Sequence, residues 1–424
     1  MMRLAHFVQR YPPALGGSEA YFGRLSEFFA RAGQDVTVFT TQAKELSAFW
    51  SPHAEVFPPG NETVNGVEVR RYPLWRFRGR RYLLKTLSFL PEKQWQCLTM
   101  PCNPISFRMW RDCQRLTGHF DLVHATAFPY AWPIACGLRL ARRARIPFLL
   151  TPFLHLGDPG NPKDRIRRAY TKPPLRWLLH QADIVFVQTE SEEKAVLDGG
   201  VASERIIRLG MGVDPEECTG GDREAARRQW QLTSDTIAIG HLANQSEEKG
   251  TVDLVRAAQK LWEAGNTNAV LVLAGPVMPN FQRFMEKQVP KGRVIQLGVL
   301  SEQAKRNFFA GIDLFVLPSR SDSFGLVLLE AWANGKANIG YKAGGIADVI
   351  RHEEDGLLVR CGRIDELAHA MARLASDADA RKRFGANGLE RTRREFVWRD
   401  KLQRVHDVYI EVLESRRCLR PAKI

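Results

Sequence analysis

The stretch "DLFVLPSRSDSFGLVLLEAWANGKANIGY", Asp313 to Tyr341, reads as strand, loop, helix and strand. "DLFVLP" and "ANIGY" are short apolar runs of strand length, and "LVLLEAWA" between them is apolar on every side, as a buried helix is. Strands joined in this way lie parallel, in sheets covered by helices on both faces. Two acids interrupt the segment: Asp322, before a Phe-Gly step, and Glu330, eight positions later. A buried carboxylate is costly unless something polar satisfies it. The partners of these two acids are therefore the functional question.

The same alternation runs outward in both directions. "RLAHFVQ", the helix "SEAYFGRLSEFFARAG", "DVTVFT", "FDLVHA", "AWPIACGLRLARRA", "FLLT" and "ADIVFVQT" form a first set. "TIAIGH", "TVDLVRAAQKLWEAG", "AVLVLAG", "RVIQLG", "DLFVLP" and "ANIGY" form a second. The class is α/β, with two Rossmann-like, doubly wound domains expected to face each other across a cleft. Glycines and a proline place the seam near "IIRLGMGVDPEE", Ile206 to Glu217. The expected domains are 1–208 and 209–395, with a helical segment 396–424 returning to the first.

A chain of 424 residues exceeds one ordinary core. With 44% hydrophobic and 25% charged residues, its composition is globular. No apolar run approaches the roughly 18 to 20 residues that span a bilayer. "MMRLAHFVQRYPP" lacks the apolar core of a signal peptide, so a cytoplasmic location is expected. Seven cysteines, at 97, 102, 113, 136, 218, 361 and 418, make no CxxC pair and fit reduced thiols. The net charge of +14 points to anionic partners. Residues 70–85, "RRYPLWRFRGRRYLLK", hold seven Lys or Arg and no acid.

Two motifs suggest anion binding. "YPPALGGSEAYFGRL" opens the first helix, and Gly16 and Gly17 would let a phosphate or sugar approach the main chain. It is not GxGxxG, and an ordinary turn capped by Ser18 is the plainer reading. In "SDSFGLVLLE", eight helical residues rise roughly 12 Å, comparable to the separation of the two sugars in a nucleotide-sugar. One carboxylate would take ribose hydroxyls and the other the second sugar, with the diphosphate on the amides of Ser323, Phe324, Gly325 and Leu326. The plainer alternative makes Asp322 a cap and Glu330 an arginine's partner. Asp377-Ala-Asp379 lies in a polar interval between late helices, so no metal and no cofactor is expected.

Taken together, "PPALGGSEAYFGRLSEFFARAGQDVTVFT", "GMGVDP", "PSRSDSFGLVLLEAWANGKANIGYKAGGIADVI" and "EEDGLLV", in this order, resemble the retaining GT-B-fold glycosyltransferases. That large family, the glycosyl transferases group 1, includes sucrose synthases and bacterial mannosyltransferases. The resemblance covers nearly the whole chain. It implies a nucleotide-sugar donor, with Glu330 on the ribose, Asp322 in place of the family's first glutamate beside the transferred sugar, and Lys249 on the diphosphate. His241 stands where the family carries an arginine, and a charged ring there would share the leaving group. His155 matches the family's histidine near the sugar. His124, in strand sequence, is expected to pack structurally. Gly344 and Gly345 resemble the family's last glycine turn.

The acceptor implied is a glycan, a lipid-linked sugar or a small molecule, in glycan, polysaccharide or glycolipid synthesis. Two rivals stand beside a transferase: a catalytically silent binding protein, suggested by Asp322 and His241, and a nucleotide-sugar isomerase. Segment 70–85 suits an anionic membrane surface, which would place the protein peripherally on the inner face. No recognition module accompanies its charge, which speaks against nucleic acid.

Overall fold

The computed structural model describes residues 1–265, 268–288 and 293–418. The chain forms two compact units: Met1–Leu154 with Arg168–Leu209 and Leu402–Ile424, and Gly210–Lys401 with His155–Arg167. Of the C-terminal segment 396–424, residues 419–424 lie outside the described residues.

The first unit is built on eight strands: β1 (Arg3–Phe7), β2 (Asp35–Thr41), β3 (Gly60–Val64), β4 (Val67–Tyr72), β5 (Leu122–Ala125), β6 (Phe148–Leu150), β7 (Ile184–Val187) and β8 (Ile206–Arg208). They are ordered β3-β4-β2-β1-β5-β6-β7-β8, and β3 pairs antiparallel with β4. The second unit has six: β9 (Ile237–Leu242), β10 (Ala269–Ala274), β11 (Val294–Gly298), β12 (Leu314–Leu317), β13 (Ala337–Tyr341) and β14 (Gly356–Val359). Their order is β11-β10-β9-β12-β13-β14, with parallel pairings. Strand order reverses between β1 and β5 in one sheet and between β9 and β12 in the other. In doubly wound sheets, ligands bind at the carboxyl ends of the strands flanking such a reversal.

The "DLFVLP…ANIGY" stretch forms the unit its sequence predicts: β12, the helix Leu326–Ala333 and β13. Leu328, Leu329, Ala331 and Trp332 of that helix are buried, and Trp332 Nε1 donates to the Asp355 carbonyl at 2.9 Å. The strand cores of this unit pack Leu271, Leu273, Val316 and Ile339 together.

The helix Trp398–Cys418 joins the first unit from Leu402 onward. Its Tyr409 ring stacks on Phe29 at 4.8 Å and offers its hydroxyl to His124 Nδ1 at 2.7 Å. Thr151 Oγ1 bonds His124 Nε2 at 2.7 Å, so both ring nitrogens of this fully buried histidine are satisfied. Burial holds its pKa well below the usual histidine value, and His124 is a structural residue.

Tyr409→Phe keeps the ring stack but leaves a buried imidazole nitrogen without its partner. It should lower the stability of the first unit by about 1–3 kcal/mol in urea unfolding, whereas an unchanged midpoint would contradict the role given to Tyr409.

Candidate functional site

The second unit gathers its chemistry where β9 and β12 end. β12 runs out at Leu317 into the loop Pro318–Gly325, which turns into the helix Leu326–Ala333. Ser323 does not cap that helix. Gly325 holds the N-terminal position instead, at φ +89. This left-handed turn suits glycine. Because helical geometry starts at 326, the rise per residue inferred for 322 to 330 applies only to its second half.

Asp322 is half-buried and lies 2.6 Å from Lys249 Nζ. Burial pushes its carboxyl up, but the Lys249 ammonium and a Ser319 hydroxyl outweigh this and hold it below the usual carboxylate range. Lys249 sits in the loop after β9, where its amide donates to Ser246 Oγ at 3.1 Å. The turn at Gly344 and Gly345 packs backbone to backbone against Asp322 and Ser323. A Cβ at either glycine would collide with their carbonyls. The Gly345 amide donates to the Asp322 carbonyl at 2.8 Å.

Glu330 does have an ion-pair partner, but it is a lysine rather than an arginine. Lys305 Nζ lies 2.6 Å from its carboxylate. Lys305 comes from the helix Glu302–Gly311. Burial lowers its pKa, and the Glu330 charge and hydrogen bond reverse that and raise it. No local motif marks Lys305, since its role depends on how that helix packs.

His155, placed in the first domain by its position after a strand, belongs to the second unit. The Gly344 amide donates to the Gly157 carbonyl at 2.8 Å and ties this segment down. Burial and the Lys249 charge push His155 to about 4, against smaller opposing effects of Asp322 and the Ser321 backbone. It is therefore neutral at pH 7 and next to the Lys249–Asp322 pair.

His241 is not the cation its position suggested. It is fully buried, with Nδ1 2.8 Å from the Val316 carbonyl and Nε2 3.0 Å from Thr251 Oγ1. The carbonyl only accepts, so Nδ1 carries the proton and Nε2 accepts from the hydroxyl. Burial pushes its pKa to about 4, and Lys249 adds to this against the Val316 bond. The ring is a neutral brace between β9 and β12.

Gly16 and Gly17 lie in the first unit, at the N-terminus of the helix Gly17–Arg31. Gly16, not Ser18, occupies the cap position. The chain's own Glu19 carboxylate faces this turn and would meet a Cβ at Gly16. Glu19 is buried against Arg10 at 2.7 Å, and Gln9 and Ser18 also bond to it. Asp377 caps the helix Ala378–Glu395 through the Ala380 amide at 2.8 Å, which gives it a structural role.

Comparison with known proteins finds glycosyltransferase family models along both parts of the chain. The model of the glycosyl transferase 4-like domain matches residues 16–212, and that of the glycosyl transferases group 1 matches 222–391. The chain belongs to the glycosyltransferases of the GT-B fold. Among its relatives is the D-inositol 3-phosphate glycosyltransferase of Nocardia farcinica, 26% identical over 392 residues, which are 88% of this chain and 80% of the relative. The 2-deoxystreptamine N-acetyl-D-glucosaminyltransferase of Streptomyces fradiae is 26% identical, with 89% and 90% covered. Sucrose-phosphate synthase from Thermosynechococcus elongatus superposes with a TM-score of 0.74 at 19% identity, covering 97% of this chain and 100% of that one. Anabaena HepE, solved with UDP and glucose, gives 0.71 at 18%, with 96% and 99% covered.

Histidines held near pKa 4 contribute stability that is complete above pH 6.5 and is lost as pH falls toward 4, because the unfolded chain takes up their protons first. Histidine ring resonances should show His155 and His241 neutral down to pH 5. Titration of either near 6.5 would contradict the environment described.

Proposed function

We propose that the second unit binds a nucleotide-sugar and that the enzyme transfers its sugar to an acceptor hydroxyl with retained configuration. The observation that carries this reading is the pair of lysine–carboxylate contacts, Lys249–Asp322 and Lys305–Glu330, that lead into and lie along one helix. Each carboxylate lies 2.6 Å from an ammonium in a half-buried setting, where a polar ligand can exchange for part of the contact. The diphosphate would draw Lys249 from Asp322 and rest on the free amides at the start of the helix Leu326–Ala333. Asp322 would then accept from hydroxyls of the transferred sugar and Glu330 from the ribose.

As the donor bond breaks, charge develops on the diphosphate, and a preorganised cation there lowers the barrier. Lys249 takes that role in this reading, since His241 is neutral. Lys305 is a positioning residue that aims Glu330. His155, neutral and donating, would hydrogen-bond the sugar or its phosphate. Relatives named for inositol phosphate and for 2-deoxystreptamine make a small hydroxylated acceptor one arm of the test, beside glycans and lipid-linked sugars.

A panel of nucleotide-sugars, read by thermal shift and calorimetry, identifies the donor. Glu330→Gln should then weaken donor binding by about 10- to 100-fold, the worth of hydrogen bonds to a charged group. Lys249→Ala should lower turnover by about 100-fold or more at saturating donor. Full donor affinity in the first variant, or full turnover in the second, would overturn these roles. NMR of the product tests retention. Sugar isomerised without acceptor, or no reaction with any donor, would favour the rival activities.

A further inference from the structure

Between Glu68 and Asp112 stands one acid, Glu92, against ten Lys or Arg. The structure divides these cations. Arg70 and Arg71 pair with Glu68 at 2.8 Å and Glu62 at 2.6 Å. Arg76 donates to the Ser51 and Ala54 carbonyls. Arg80 is buried, with its guanidinium on the Phe49 and Asn103 carbonyls. These four serve the fold, so the run 70–85 is not a uniform basic face. Arg78, Arg81, Lys85 and Lys93 are exposed.

The apolar side chains here are the unusual part. Eight of the fifteen large hydrophobics exposed among the described residues fall between 77 and 107, and every exposed large aromatic is one of them. Tyr82 and Phe89 are each 78% exposed and Trp95 is 53% exposed. The helix Arg80–Leu87 buries Arg80 and Leu84 and leaves Leu83 and Leu87, one turn apart, exposed along with Arg81 and Lys85. Scattered exposed hydrophobics need no explanation, but a cluster rimmed by charge of one sign marks an interaction surface. Aromatics and leucines flanked by cations suit the boundary between headgroups and acyl chains of an anionic bilayer.

A second feature adjoins this one. The helix Lys93–Leu98, which carries Trp95, also lines a cavity of about 160 Å³ through Cys97 and Leu98. Arg139, Arg142 and Arg143 line it as well. Arg139 lies over the Trp110 ring at 4.3 Å, and its Nε is buried without a hydrogen-bond partner. Cations over an apolar, aromatic cavity match the head of an anionic amphiphile. Among the described residues no helix is long and apolar enough to cross a membrane, so attachment here would be by the surface.

We infer that residues 77–107 of the first unit dock on an anionic phospholipid bilayer, with Tyr82, Leu83, Leu87, Phe89 and Trp95 entering the interface and Arg78, Arg81 and Lys85 meeting lipid phosphates. The inference is independent of the donor site.

Co-sedimentation of the full chain with vesicles of phosphatidylglycerol and phosphatidylcholine, against phosphatidylcholine alone, tests it. Arg78→Ser/Arg81→Ser/Lys85→Ser and Leu83→Ser/Leu87→Ser/Phe89→Ser change only exposed side chains, so both variants should melt like the parent. The parent should bind the anionic vesicles and release as salt rises from about 0.1 M to about 1 M. Each variant should lose about tenfold or more in affinity. Equal binding to neutral vesicles, or variants that bind like the parent, would overturn the proposal. So would dimerisation abolished by the apolar variant without vesicle binding, which would assign the face to a second copy of the chain.

Discussion

A 2.6 Å contact between Lys249 and Asp322 joins the loops that leave β9 and β12, where strand order in the second sheet reverses. Much around it follows from that one pair. Lys249 holds Asp322 ionised and helps keep His155 neutral. The turn at Gly344 and Gly345 closes on the backbone of the same loop, and through Gly157 it fixes the segment that brings His155 alongside. A half-buried ion pair contributes little net stability, because desolvation consumes most of the attraction. Its more informative property is that a ligand with competing charges can exchange for either partner. A phosphate can take the ammonium and a sugar hydroxyl the carboxylate.

The arrangement also explains a departure from the family pattern. With His241 where an arginine is usual, a compensating charge would be expected from the ring. The ring instead spans the Val316 carbonyl and the Thr251 hydroxyl, both internal, and burial keeps it neutral. In the proposed reading the cation on the diphosphate is then Lys249, a point charge that would bind phosphate without the bidentate geometry of arginine. Lys249 and Lys305 each lie against one carboxylate of the Asp322/Glu330 pair, so the motif is four residues rather than two.

The α/β class, the two sheets and the β12–helix–β13 unit were legible from the sequence because strand and helix periods differ and apolar runs alternate. Asp322 and Glu330 stood out because both interrupt one short apolar segment, and Lys249 was singled out by the family resemblance; its contact with Asp322, 73 residues away, was not legible. The details that depend on packing were not. Ser323 looks like a cap, but Gly325 reaches the left-handed turn first. Lys305 sits in an ordinary amphipathic helix, and nothing in "EQAKRNFFAG" says which side chain it will face. His155 follows a strand of the first sheet, yet the chain passes into the second unit at that residue. The basic run 70–85 showed its charge in sequence but not that four of its seven cations are spent on the fold.

The most direct test of the ion-pair exchange is a crystal structure of the protein with its nucleoside diphosphate bound. The geometry predicts Lys249 Nζ on a diphosphate oxygen and withdrawn from Asp322, with Glu330 accepting from the ribose hydroxyls while Lys305 stays against it. A nucleotide bound with the Lys249–Asp322 contact intact and Glu330 remote from the ribose would contradict it.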